Sequence, residues 1–173
     1  MKTIKQFGVV LALTLTTILT SCSSSDGGGG GNAASGTMKA KVDGTSLSSS
    51  APFTTGTKIN AGGSTTLTLQ GTNSAGKGYQ FVVNGFTGVG TYEIGGSSSI
   101  FVVGTYIESN VSNPSDSQTW TAPYDETVAG EISFSSVTDT KVVGTFHFTG
   151  KNTDDSSVKE ITDGSFNVNV TSF

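Results

Sequence analysis

From Thr37 onward, apolar side chains recur at every second position in short runs. Met38, Ala40 and Val42 alternate with lysines, Leu67 and Leu69 with threonines and Gln70, and Ile132 and Phe134 with Glu131 and Ser133. Tyr79, Phe81 and Val83 form one further run, Val142, Gly144, Phe146 and Phe148 another, and Phe166, Val168 and Val170, set between Asn167 and Asn169, a last one. A period of two predicts β-strands with one face buried. The run Ile100 to Ile107 is apolar on both faces, which predicts a central strand. Asp43-Gly44, the stretch Gly71 to Gly78, Asp139 and Asp163-Gly164 read as turns, and the second of them predicts a hairpin joining the Leu67 and Tyr79 runs. No window of 11 residues beyond Cys22 carries a capped helical stripe. Roughly eight to ten short strands, with turn signals at intervals of about 8 to 12 residues, predict an all-β fold, an antiparallel β-sandwich or a flattened barrel.

The first 36 residues break this pattern. Lys2 and Lys5 precede an apolar stretch from Phe7 to Leu19, too short for the roughly 20 residues of a stable membrane-spanning helix. There follows Leu19-Thr20-Ser21-Cys22, with the one cysteine of the chain. This stretch resembles the bacterial lipoprotein cleavage box, and the resemblance implies a mature chain that begins at Cys22 with diacylglycerol on its thiol. Stable anchoring takes two or more acyl chains, which that modification supplies. Residues 23 to 36, rich in glycine and serine, bury nothing and form a flexible tether with a reach of about 20 Å. The expected organisation is a signal peptide over residues 1–21, a lipidated tether over 22–36 and a β-sandwich domain over 37–173. Ser23, where retention at the inner membrane calls for aspartate, implies by resemblance to Gram-negative sorting an address at the outer membrane, and the serines and Asp26 that follow faintly resemble a surface-export signal.

Charge narrows the partners. The nine basic residues are all lysines, against 13 acids. Loss of Lys2 and Lys5 with the signal takes the formal charge from −4 to −6. Without arginine the chain lacks the side chain best suited to bidentate phosphate recognition, and an acidic protein of this kind is a poor ligand for nucleic acid or anionic headgroups. With Cys22 committed to lipid no disulfide is possible, so packing and sheet hydrogen bonds must hold the fold.

Val42-Asp43-Gly44, a mid-chain Gly-Thr-Tyr, Gly130 to Phe134 (Gly-Glu-Ile-Ser-Phe), Val142 to Phe148 (Val-Val-Gly-Thr-Phe-His-Phe) and Ile161 to Phe166 (Ile-Thr-Asp-Gly-Ser-Phe) resemble small Bacteroidetes-type outer-membrane lipoproteins of uncharacterised β-sandwich families. The likeness covers most of residues 38 to 172 and rests on turns and core aromatics. It implies a fold and an address, and it carries over no catalytic residue.

The chemistry-bearing residues are sparse. His147 is the one histidine and stands between two phenylalanines, on the opposite face of its strand; no Gly-x-Ser-x-Gly elbow accompanies it. The carboxylate pairs Asp125-Glu126 and Asp154-Asp155 are adjacent in sequence, so in a strand each pair would point to opposite faces. No pair of cysteines or histidines offers a zinc site, and the acids lack calcium-loop spacing, although Asn152 to Asp155 with Asp163 could form a weak oxygen site. Gly85 to Gly90 is glycine-rich, but no helix or lysine follows to hold a phosphate. The segment Glu108 to Val128 is long and polar and contains Trp120 and Tyr124, the two positions expected to touch a ligand if the domain binds one, with burial in the core as the competing expectation.

These readings converge on a non-enzymatic, lipid-anchored envelope protein with no cofactor and no catalytic residue, displaying a module for a glycan or a protein. A carrier with an apolar barrel cavity lined by Phe81, Phe101 or Phe148 is the alternative, and a hydrolase built from Glu108, Asp116, Asp125, Glu126 and Asp163 the third reading. For the anchor, Cys22→Ala is expected to abolish incorporation of radiolabelled fatty acid in growing cells; undiminished label on the variant would refute the assignment.

Overall fold

The computed structural model describes residues 33–96 and 101–173, so Cys22, the signal segment, most of the tether and Ile100 lie outside the described residues. The described residues form eleven strands: β1 (Thr37–Val42), β2 (Thr45–Ser48), β3 (Thr54–Ala61), β4 (Ser64–Thr72), β5 (Lys77–Asn84), β6 (Gly90–Gly95), β7 (Val102–Glu108), β8 (Gln118–Ala122), β9 (Val128–Val137), β10 (Lys141–Lys151) and β11 (Val158–Ser172). The fold is all-β, as the alternation predicts. Strand β1 shows the rule in its simplest form, with Met38, Ala40 and Val42 buried and Thr37, Lys39 and Lys41 turned outward. The Asp43-Gly44 turn forms with both residues at positive φ, 47° and 80°, and Val42 pairs Thr45 across it. The predicted hairpin is β4–β5, in register from Thr66↔Asn84 to Thr72↔Gly78.

Hydrogen bonding joins the strands in one mixed sheet that folds over on itself into two layers, called sheets I and II. Sheet I runs β2-β1-β11-β10-β9-β6 and sheet II runs β3-β4-β5-β7-β8. They are stitched together at both sides. Residues 170–172 of β11 pair in parallel with Gly56 to Lys58 of β3, and Lys151 of β10 pairs with Thr121 of β8. The seven strands β11, β3, β4, β5, β7, β8 and β10 therefore close into a flattened barrel, from which β1–β2 and β9–β6 extend as flaps. The β11–β3 pairing is parallel, an exception to the antiparallel pattern expected.

The interior is filled by a nearly continuous column of rings. Phe86 meets Phe134 edge-on at 4.9 Å, Phe134 meets Phe166 at 5.2 Å, and Phe81 contacts Phe146 at 4.8 Å and Phe148 at 5.6 Å. Tyr79 then leads through Tyr106 to Trp120, with centroids 6.0 and 5.5 Å apart. Phe81 and Phe148, two of the residues expected to line a carrier's cavity, thus occupy the space between the sheets; the third, Phe101, is on the outside.

Asp163-Gly164 does not turn the chain. It lies inside β11 as a one-residue bulge, since Lys39 and Lys41 face Ser165 and Thr162 on one side while Phe146 and Phe148 face Gly164 and Ile161 on the other. This bulge uses the left-handed backbone that a tight turn also uses, and Asp163 supplies it at φ 52°. Residues 33–36, compositionally the end of the tether, lie against the domain: Ala33 is buried and Gly36 donates its N–H to the Asn167 carbonyl at 2.7 Å.

Phe81→Ala is expected to cost about 3–5 kcal/mol of stability, because the ring touches both Phe146 and Phe148 and its loss leaves a cavity between two sheets locked together at both sides. Urea unfolding followed by circular dichroism measures it; a loss below about 1 kcal/mol would mean that the column is not the core.

Candidate functional site

One mouth of the sandwich is polar. Alternation puts Lys77, Glu108 and Gln118 on the inward-facing registers of β5, β7 and β8, one step beyond Tyr79, Tyr106 and Trp120, where the sheets part. On the other sheet the β1–β2 hairpin and the start of β11 bring Asp43 and Lys159 to the same place. The result is a cleft of about 340 Å³ with Val42, Leu47 and Tyr106 among its walls and Asp43, Lys77, Glu108 and Lys159 around them.

Its charged groups are paired. Lys77 Nζ lies 2.9 Å from Glu108 Oε2, and Lys159 Nζ 2.7 Å from Asp43 Oδ2. The Tyr106 hydroxyl donates to Glu108 Oε1 at 2.7 Å, and the Glu160 N–H donates to Asp43 Oδ1 at 3.0 Å. Lys159 also lies over the Trp120 ring, 5.5 Å from its centroid, within cation–π range. Behind these groups the Trp120 indole N–H donates to Ser157 Oγ at 2.8 Å, and the Asn152 amide donates to Gln118 Oε1 at 2.7 Å. The Tyr79 hydroxyl, donating to the carbonyls of Leu47 (3.2 Å) and Ala40 (3.4 Å), ties sheet II to the hairpin of sheet I.

The electrostatics follow from these contacts. The Lys159 ammonium, and then the Glu160 N–H, lower the Asp43 carboxyl from its usual 3.8, and the same ion pair raises Lys159. Burial pushes the Glu108 carboxyl up, but the hydrogen bonds from Tyr106 and Lys77 outweigh it and leave it below its usual 4.5. Burial, aided by the hydrogen bond to Glu108, drives the Tyr106 phenol far up, and burial does the same to Tyr79. At neutral pH the Asp43 and Glu108 carboxyls are therefore ionised, Lys159 is an ammonium and the two phenols are neutral. The cleft offers donors and acceptors in balance.

The residues singled out in sequence fall in different places. Trp120 is 6% exposed in β8, its ring between Tyr106 and Lys159, so it supports the cleft from behind and has no open face for a ligand. Tyr124 is 43% exposed in the β8–β9 connection and is not brought to Trp120. Alternation decides the difference, since β8 turns Trp120 inward and ends two residues before Tyr124. His147 is exposed on the outer face of sheet I, opposite Glu131. Four of the five acids of the hydrolase reading are engaged separately, Glu108 in the cleft, Asp116 by the Asn113 amide, Asp125 by Thr127 and Asp163 by Lys41 at 3.0 Å, and Glu126 is exposed in the β8–β9 connection. Asp154 and Asp155 shape the loop after β10, where the Asp154 N–H bonds Asn152 Oδ1 and the Ser157 N–H bonds Asp155 Oδ1. Among the described residues, no three His, Cys, Asp or Glu converge to hold a metal ion, and Asp163 is engaged by Lys41.

Residues 35–170 match the family described as Domain of unknown function (DUF6252), and the chain belongs to that family. Neither a curated protein nor a solved structure matches the chain.

The ion pairs add to the acid sensitivity of the fold. Carboxyls held below their usual values contribute stability that is complete above those values and disappears as pH falls through the lower, folded ones. Thermal stability is therefore expected to fall as pH drops below about 4, and Asp43→Asn should flatten part of that fall. Melting temperatures between neutral pH and acid test this; an unchanged slope in the variant would show that the Asp43–Lys159 pair does not contribute.

Proposed function

We propose that this member of the DUF6252 family is a lipid-anchored outer-membrane protein of a Gram-negative bacterium, displayed at the cell surface, whose domain binds a glycan in the polar mouth and catalyses no reaction. The cleft carries this reading. Its volume of about 340 Å³ lies at the lower end of ordinary ligand sites and suits one or two sugar residues. Its two lysines and two acids cancel in charge, which favours a neutral ligand, and they alternate donors with acceptors as a ring of hydroxyls requires. Hydrogen bonds to charged groups are the stronger kind, so a hydroxyl inserted into either ion pair can be held without full burial.

The placement of the cleft agrees with display from a tether. Strand β1 starts at Thr37, where the tether joins the domain, and ends at Val42 in the cleft wall. Those six residues span about 20 Å, which holds the cleft away from the junction. The carrier alternative receives no such support, since rings fill the space between the sheets.

The purified full-length chain is expected to bind a subset of neutral oligosaccharides on a glycan array. Lys159→Met and Glu108→Gln are each expected to weaken binding by about tenfold or more in calorimetry, the effect of losing one charge-assisted hydrogen bond. Binding that survives both substitutions, or none to any saccharide, would refute the reading.

A further inference from the structure

The outer faces of the two sheets differ in charge. Sheet I turns outward Lys39, Lys41, Glu93, Glu131, His147 and Asp163. On sheet II the outward positions of β3, β4, β5, β7 and β8 hold no charged side chain; they are threonine, serine, glutamine, asparagine, alanine, valine, isoleucine and one glycine. The first charge met is Lys151, across the corner at β10. A solvent-facing sheet of five strands ordinarily carries charges for solubility, in a chain that has 13% of them.

The same face carries exposed apolar groups. Register aligns Ile59 with Thr66 and Thr66 with Asn84, and the Asn84 N–H bonds the Phe101 carbonyl. At the other end of this row the Asn60 N–H bonds the Phe173 carbonyl, which sets Phe173 beside Ile59. Phe173, Phe101 and Ile59 are 77%, 48% and 47% exposed. Towards the centre, Val82 and Val103 stand side by side, half-buried, with Gln70 and Gln80 paired on one side of them.

We infer that this face is the contact between two copies of the chain. Loss of charged residues, with exposed aromatic and aliphatic groups kept, is the compositional mark of an interface core. Symmetry then selects the partner. In a two-fold contact each residue near the axis meets its own copy. A lysine or a glutamate would meet like charge there, whereas a hydroxyl or an amide is donor and acceptor at once, and valine packs on valine. Two molecules of an acidic chain repel over most of their surface, and this face is one across which they do not. At a strand spacing of about 4.8 Å it measures on the order of 20 Å across, a small interface. Confinement to one membrane, which rests on the anchor proposed above, raises the effective concentration at which two copies meet.

The test uses the full-length chain in its own membrane, with single cysteines placed at Val82 or at Val103 and a flexible bismaleimide linker. Both positions are expected to give covalent dimers, and Thr145→Cys on the outer face of sheet I should give none. Adding Gln80→Glu, which introduces a charge at nearly constant volume, should cut the dimer yield at Val82→Cys severalfold, while Thr145→Glu should leave it unchanged. Monomer from both face positions, equal dimer from Thr145→Cys, or indifference to Gln80→Glu would overturn the inference. Retained binding to the glycans of the preceding experiment shows that each variant is folded, and if no glycan is bound, the circular dichroism melt shows it.

Discussion

The structure depends on the pairing of β11 along both of its edges. On one side it runs beside β10 from Val158 to Asn169; on the other it is bonded first to β1 and then, beyond Asn169, to β3. A strand with two neighbours on one edge must leave one sheet and join the other, and this passage closes the barrel. The close approach of β10 and β11 has a steric requirement. Gly144 faces Phe166 and Gly164 faces Phe146, and a methyl group on either glycine would strike the opposing ring and a neighbouring carbonyl, of Ser133 and Phe146 respectively. Each ring covers the partner strand's glycine, so the two aromatics lie flat between the sheets at the point where the chain changes layer.

From this arrangement the molecule acquires two unlike ends. The ring column starts with Phe86 among apolar neighbours and finishes at Trp120 among hydroxyls, amides and ions. Burial of Tyr79 and Tyr106 near the polar end is possible because each phenol finds an acceptor, a carbonyl for one and Glu108 for the other. The cleft is thus the margin of the core, where residues that still obey the inward alternation can no longer be apolar because water reaches them.

Alternation made the strand set legible: β1, β4, β5, β7, β9, β10 and β11 all follow runs visible in the sequence, and the Asp43-Gly44 hairpin follows its dipeptide. Strands β2, β3 and β8 are rich in threonine and serine with few apolar residues, so they carry too little periodicity to be seen and owe their conformation to their neighbours' edges. Asp163-Gly164 announced positive φ correctly, but such a signal cannot distinguish a reversal from a bulge. The cleft was hidden for a different reason. Asp43 and Lys159 stand 116 residues apart, and only the pairing of β1 with β11 brings them together. Trp120 drew notice as a lone large aromatic on a polar segment, yet the hydroxyls around it belong to a strand whose inward side it fills.

The pairing of Thr37 with Asn167 has a kinetic meaning. The first strand finds its principal neighbour only in the last, so this pairing and the β11 bonds that close the barrel are unavailable to a partly synthesised chain, and loop-closure entropy opposes their formation until the whole domain is present. Such a topology folds slowly and all at once. For the export proposed above this delay is an advantage, because a chain without a compact state can pass a narrow translocation channel with nothing to undo.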